Sequence, residues 1–509
     1  MPGISDFSRY DAVTLADLVR AGEVTAEELL DAAIVRLEAT NPQVNAVVER
    51  LDDYGRAAIK AGLPDGPLRG VPYLLKDLTA SLGGHPTRRG SQYYADFVPP
   101  FDSHYVQRLK AAGLVIFGRS NTCELGLSLT CEPRYWGPTR NPWDLERISG
   151  GSSGGAAAAV AARMLPMAHA TDGFGSIRAP AACCGLFGLK PTRGRNSQAP
   201  YLGEGLNGLS AEHAVSLSVR DSAALLDATH GQVAGDPYAA PPPRGRFLDA
   251  CSRPPERLRI AVSRRAVNDA PVCEDSLRVL EETARLCTDL GHSVEEADPA
   301  IDYDLVVPTF LTIMAANTEV NLAANSAKGR PAREDEVEPV TWACGEMGRA
   351  VSGAELVRAT QTAHRLGRQM AAFHADYDAL LTPGPGDAAA APRLDRHGPG
   401  RCRRVLAAGL HLLAVHGLLQ PDGAAGGDAA DRHRRRRAAR RGSAGHAVRR
   451  RRNPVRLGCT ARGRTALVRS PAVTGLNRPA KPLADTIDPR QCRAGHPALR
   501  VSHKFVTIP

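Results

Sequence analysis

The stretch SGGSSGGAAAAVAA, Ser149–Ala162, sets a glycine-rich turn holding two adjacent serines against an alanine-rich run. Glycine admits positive φ and lets the backbone approach a ligand closely. The alanine run is a strong helix former whose first turn leaves N–H groups unpaired. Alone, the turn admits three readings. A phosphate-cradling loop needs Lys and then Ser or Thr after its second glycine, and Ala156 and Ala157 stand there instead. A G-x-S-x-G elbow runs from Gly150 to Gly154 and would make Ser152 the nucleophile of an α/β-hydrolase, served by an Asp and a His. A flexible linker is the third.

Working outward, a second small-residue segment, TDGFGSIR at Thr171–Arg178, leads into APAACCGLFGLKPTRG at Ala179–Gly194, and GVPYLLKD stands upstream at Gly70–Asp77. With these three segments the chain resembles the amidase signature family, from about Asp11 to Pro383 and most densely between Ser149 and Gly194. The resemblance implies an α/β amidase signature fold with a central mixed β-sheet flanked by helices. It also implies a catalytic triad, with Ser176 as nucleophile, Ser152 as bridging serine and Lys76 as the base.

The residues around Lys76 support that role on their own terms. Met1–Pro383 contains five lysines against 33 arginines, yet Lys76 sits between Leu74, Leu75 and Leu78 on what reads as a buried strand. Burial disfavours the ammonium form and lowers its pKa, as a lysine base at neutral pH requires. A strand-end lysine whose head reaches water is the bland alternative. Lys190 is the competing lysine, in a GLKPTRG context that reads as a turn.

A serine hydroxyl is a poor nucleophile until a base removes its proton, and the resemblance supplies that relay without a metal or an organic cofactor. It places the oxyanion donors on the backbone N–H groups of Gly173, Phe174, Gly175 and Ser176, and groups Ser153 and Asp172 with them, Asp172 fixing the turn. One departure stands out. Residue 174 is Phe where the family leads one to expect Gly, which predicts strain if the loop needs positive φ there. Asn121–Gly126 and Gly137–Asp144 read as loops shaping the site. The motifs point to small amides or linear and cyclic oligoamides as substrates. The ammonia-supplying amidotransferase component of glutamyl-tRNA synthesis is the runner-up, and a homodimer is left open.

Elsewhere the sequence alternates helix and strand signals, which argues α/β architecture. Leu15, Leu18 and Val19, then Leu29, Leu30, Ala33, Ile34 and Leu37 after a Thr25–Glu28 capping box, predict two amphipathic helices. Val71–Leu75, Leu114–Phe117, Leu258–Val262 and Ala379–Leu381 predict strands, and Cys273–Leu290 a long helix. The first twelve residues carry Asp6, Arg9 and Asp11 without an apolar core, and no uncharged apolar run reaches membrane-spanning length, so the expectation is a cytoplasmic protein. Eleven cysteines without a CxxC pair predict reduced thiols.

The net charge of +10 is unevenly placed. Residues 384–509 carry 24 Arg, 2 Lys, 7 Asp and no Glu, a net of +19, which leaves −9 for residues 1–383. The basic balance therefore says nothing of the main domain's partners, and nucleic acid is not expected there. Two units follow: an amidase signature domain over 1–383, incomplete at its carboxy-terminal end, and an atypical Arg-rich tail over 384–509. The tail, with runs such as HRRRRAARR at His433–Arg441, reads as a disordered basic arm, a nucleic-acid arm or the product of a frame change in a G- and C-rich gene. One codon choice for Leu419–Ala425, shifted by a base, reads Ser-Asn-Pro-Thr-Gly-Gln-Pro, like a turn expected late in the family. A damaged, inactive product is thus the alternative to a working amidase.

Overall fold

The computed structural model describes residues 7–266, 271–323 and 328–384, and the backbone of 505–507. Most of the Arg-rich tail, with the frame-change reading attached to it, lies outside the described residues.

The amino-terminal helices form where their caps predict. Asp11 accepts the Thr14 N–H at the head of Ala12–Ala21, and Thr25 and Glu28 close a capping box at the head of Ala26–Val44. Each buries its apolar face and not its charged one: Leu15 and Ala16 in the first, Leu29, Leu30, Ala33, Ile34 and Leu37 in the second. Beneath them run two three-stranded sheets. In one, Val115–Ser120 lies between Val47–Arg50, antiparallel, and Pro72–Lys76, parallel. In the other, Ala211–Ser216 lies between Met167–Asp172 and Phe187–Gly188, both antiparallel.

The two sheets abut along Pro72–Lys76 and Met167–Asp172, but no hydrogen-bonded ladder joins these strands, so the described strands do not form one continuous central sheet as expected. Part of the reason lies at the seam. The Lys76 N–H donates to the His169 ring at Nδ1, 3.2 Å away, where a ladder would use a backbone carbonyl. A third group holds Ser293–Glu296, Arg259–Val262 and Ala379–Thr382 in parallel, with Phe505–Thr507 antiparallel to the last.

The alanine run forms Gly154–Ala161, a helix buried on nearly every side, packed on Met167–Asp172 and Pro72–Lys76. Small side chains let it sit that close. Gly155 is required there, since a Cβ would come within 2.3 Å of the Asn121 backbone nitrogen. Val306–Ala323 packs against Pro339–Ala350 and Gly353–Phe373. Among the described residues Tyr303–Ala323 is the one segment long and apolar enough to cross a membrane. Its apolar residues Val306, Phe310, Ile313 and Met314 are buried within the fold.

Candidate active site

Lys76 ends a strand in which all five residues are buried, and its side chain is wholly buried. Its Nζ donates to three hydroxyls: Ser152 Oγ at 2.7 Å, Thr171 Oγ1 at 2.9 Å and Ser153 Oγ at 3.0 Å. Burial pushes the ammonium down to about 8. In its neutral form the nitrogen keeps two protons and gains a lone pair, so one of the three hydroxyls can turn and donate to it. Ser153 is the wrong one, because its proton goes to the Thr171 carbonyl while its oxygen accepts the Thr171 N–H. It is not among the residues lining the cavity, and its hydrogen bonds hold Lys76 and the neighbouring strand. Ser152 is bonded to Nζ and also lines the cavity. The Gly151–Ser152 peptide bond is cis.

Ser176 lies on the turn after Met167–Asp172 and lines the same cavity, 8% exposed. The two serine turns are tied by the Ser153 N–H, which donates to the Ser176 carbonyl at 3.3 Å. Asp172 organises the second turn from beneath. Its carboxylate accepts the N–H groups of Gly175, Ile177 and Arg178 and both arms of the Arg178 guanidinium, Nε at 2.8 Å and Nη2 at 3.0 Å. Burial alone would raise this acid, but the Arg178 charge and its hydrogen bonds hold it well below the usual carboxylate range. Asp172 is thus a turn-fixing residue and does not reach the cavity. Because the Gly175 N–H is spent on Asp172 at 2.6 Å, the expected oxyanion set narrows to Gly173, Phe174 and Ser176.

Phe174 is not strained. The positive φ of the turn falls at Gly175, 127°, and Phe174 is absent from the residues with left-handed backbone. Its ring is 4% exposed and stacks on Phe310, centroids 3.8 Å apart and planes 12° from parallel. The strain expected at this position is therefore replaced by packing. Lys190 is pushed lower than Lys76 by burial, to about 7, but it sits by Asp172 and Arg178, whereas Lys76 is bonded to a serine on the cavity wall.

Of the two loops expected to shape the site, Asn121–Gly126 reaches the cavity through Leu125 and Gly126, and no residue of Gly137–Asp144 lines it. Asn121 Nδ2 donates to the Gly137 carbonyl and Thr139 Oγ1, both at 3.0 Å, joining one loop to the other. A Cβ at Gly126 would stand 3.4 Å from Ser152 Oγ. Leu125 and Gly126, together with Leu206, Phe310 and Met314, line a cavity of about 380 Å³. Thr171 and Arg178, which open and close the quoted TDGFGSIR segment, carry roles that the sequence did not reveal. So do His169 and Glu212. His169 accepts the Lys76 N–H at Nδ1, so its proton is on Nε2 and is donated to Glu212 Oε2 at 2.6 Å. Among the described residues no cluster of His, Cys, Asp and Glu could hold a metal ion.

Two serines on one cavity wall, one of them bonded to a buried lysine of lowered pKa, are the parts of an acyl-transfer site. Comparison with known proteins agrees: the family model described as Amidase matches residues 28–407. The chain belongs to the amidase family. A 6-aminohexanoate-cyclic-dimer hydrolase of Pseudomonas sp. (strain NK87) is 39% identical over 385 residues, 73% of this chain and 77% of that one. The solved structure of a 6-aminohexanoate cyclic dimer hydrolase with its substrate superposes with a TM-score of 0.71 at 34% identity, covering 80% of this chain and 89% of that one. A glutamyl-tRNA(Gln) amidotransferase chain of Thermotoga maritima, at 24% identity and a TM-score of 0.62 over 81% and 87% of the two chains, shares the fold alone. As an amidase signature enzyme the chain is a hydrolase of amide bonds.

Proposed function

We propose that this amidase works through Lys76, Ser152 and Ser176 and passes through an acyl-enzyme on Ser176. The observation that carries the reading is the short contact between Lys76 Nζ and Ser152 Oγ at the wall of the cavity that Ser176 also lines. Neutral Lys76 takes a proton from Ser152 as Ser152 takes one from Ser176, and Ser176 Oγ attacks the amide carbonyl. The oxyanion meets the N–H groups of Gly173, Phe174 and Ser176. The proton returns along the relay to the leaving nitrogen, the C–N bond breaks, and water releases the acyl group by the same path. The apolar walls and a volume near 380 Å³ suit a small or oligomeric amide, linear or cyclic.

Ser176→Ala should abolish amide hydrolysis, and Ser152→Ala or Lys76→Ala should reduce it by orders of magnitude. A fluorophosphonate probe should label Ser176. An active Ser176→Ala protein, or labelling confined to Ser152, would sink the assignment.

For the tail we infer a frame change near residue 384. The absence of Glu from residues 384–509 beside 24 Arg supports it, as does a match to relatives that takes in 73% of the chain. The gene read across codons 380–390 should show an inserted or deleted base, and an intact frame there would refute the inference.

A further inference from the structure

The described charged side chains lining the cavity are Arg89, Glu204 and Glu212. Glu212 is bonded to His169. Arg89 is different from its neighbour in the chain. Arg88 is ion-paired with Glu49 at 3.0 Å, whereas no carboxylate among the described residues pairs with Arg89. Its guanidinium is nevertheless held in place. Nη1 donates to Asn321 Oδ1 at 3.1 Å, the group lies 4.3 Å from the centroid of Tyr94 and 5.3 Å from that of Phe97, and Nε is buried without a hydrogen-bond partner.

The backbone also bends to put it there. Arg89 has φ 54°, the left-handed region that a side chain other than Gly occupies at a cost, and its carbonyl accepts the Leu125 N–H at 2.9 Å. A fixed cation that faces a partly enclosed cavity and pairs with no carboxylate among the described residues is a recognition element for an anion, and the planar fork of Arg matches a carboxylate. The helix Val306–Ala323 places this fork relative to the chemistry. Phe310 on that helix stacks on the oxyanion turn, and Asn321, which holds Arg89, follows eleven residues later on the same cavity-lining face, roughly 16 Å along the axis.

We propose that Arg89 is a subsite for a carboxylate carried by the substrate at the end remote from the scissile amide. The preferred substrates are then linear amides with a free terminal carboxylate, in place of cyclic ones. The proposal rests on reading the cavity as the acyl-transfer site.

The test uses the full chain and two matched pairs, which put the carboxylate on either side of the amide: adipic acid monobutylamide against N-butylhexanamide, and the ω-carboxylate analogue of N-hexylbutyramide against N-hexylbutyramide. The native protein should favour the acid member of at least one pair in kcat/KM, and Arg89→Gln should cut that preference about 10- to 100-fold. Arg89→Lys, which keeps the charge and loses the fork, should retain part of it. No preference in the native protein, or one that survives Arg89→Gln, overturns the proposal. Calorimetry of hexanoate and hexan-1-ol on Ser176→Ala protein, with and without Arg89→Gln, needs no turnover. Hexanoate binding that depends on Arg89 sustains the subsite even where no amide is hydrolysed, a result that would count against the hydrolytic reading alone. Turnover of the amides with hexanoate binding indifferent to Arg89 overturns the subsite and leaves hydrolysis standing.

Discussion

Thr171 Oγ1 stands 2.9 Å from Lys76 Nζ and completes a three-hydroxyl cradle for an ammonium buried away from water. It stabilises the charged form against the burial that brings Lys76 down to about 8. Because the neutral amine is the base, kcat/KM should rise with pH through about 8 and level off above it, governed by the group lowered there. Thr171→Val removes one acceptor from the ammonium and keeps the shape of the side chain. The midpoint of the pH profile should then move to lower pH, by up to about one unit. A midpoint that moved upward or stayed in place would show that Thr171 does not act on Lys76.

Phe174→Gly should not raise activity. The ring relieves no strain when removed, because the left-handed position of the turn is Gly175. It is instead nearly buried against Phe310, and deleting a buried phenyl ring costs on the order of 3–5 kcal/mol. Denaturant unfolding should show that loss, and kcat should fall as the turn loosens. Higher turnover on bulky amides would mean that the ring obstructs the site.

Arg178→Gln leaves the Asp172 carboxylate buried without its charge partner, a change worth roughly 3–5 kcal/mol when one member of a buried pair is removed. Both stability and fluorophosphonate labelling of Ser176 should drop, since Asp172 fixes the Gly175, Ile177 and Arg178 N–H groups around the nucleophile. Rapid labelling in a stable Arg178→Gln protein would remove Arg178 from the positioning of that turn.

How far the sequence alone reached differs from residue to residue. Helix ends with caps, such as Asp11 and Thr25, and short apolar runs such as Leu114–Phe117 announce themselves locally, although the strand there runs three residues further, to Ser120. Lys76 was legible because a lysine among leucines is out of character for its surroundings. What stayed hidden depends on pairs far apart in the chain. His169 meets Lys76 across a seam between sheets, and Phe310 meets Phe174 from a helix more than a hundred residues later. The expectation of one central sheet failed for that reason, whereas the Phe174 expectation failed because the positive φ of the turn falls one residue later, at Gly175. Gly175 was assigned a free N–H because nothing local says that Asp172, three residues earlier, has already taken it.

The stack of Phe174 on Phe310 has a consequence for how such an enzyme can diversify. One ring belongs to the turn that carries the nucleophile, and the other to the wall that meets the substrate. A substitution at Phe310 that admits a new substrate therefore disturbs the support of the reacting turn as well. Lineages descending from this chain would more readily widen their range at Met314 or Leu311, which line the cavity without stacking on Phe174. The rings at 174 and 310 would then be inherited or lost as a pair.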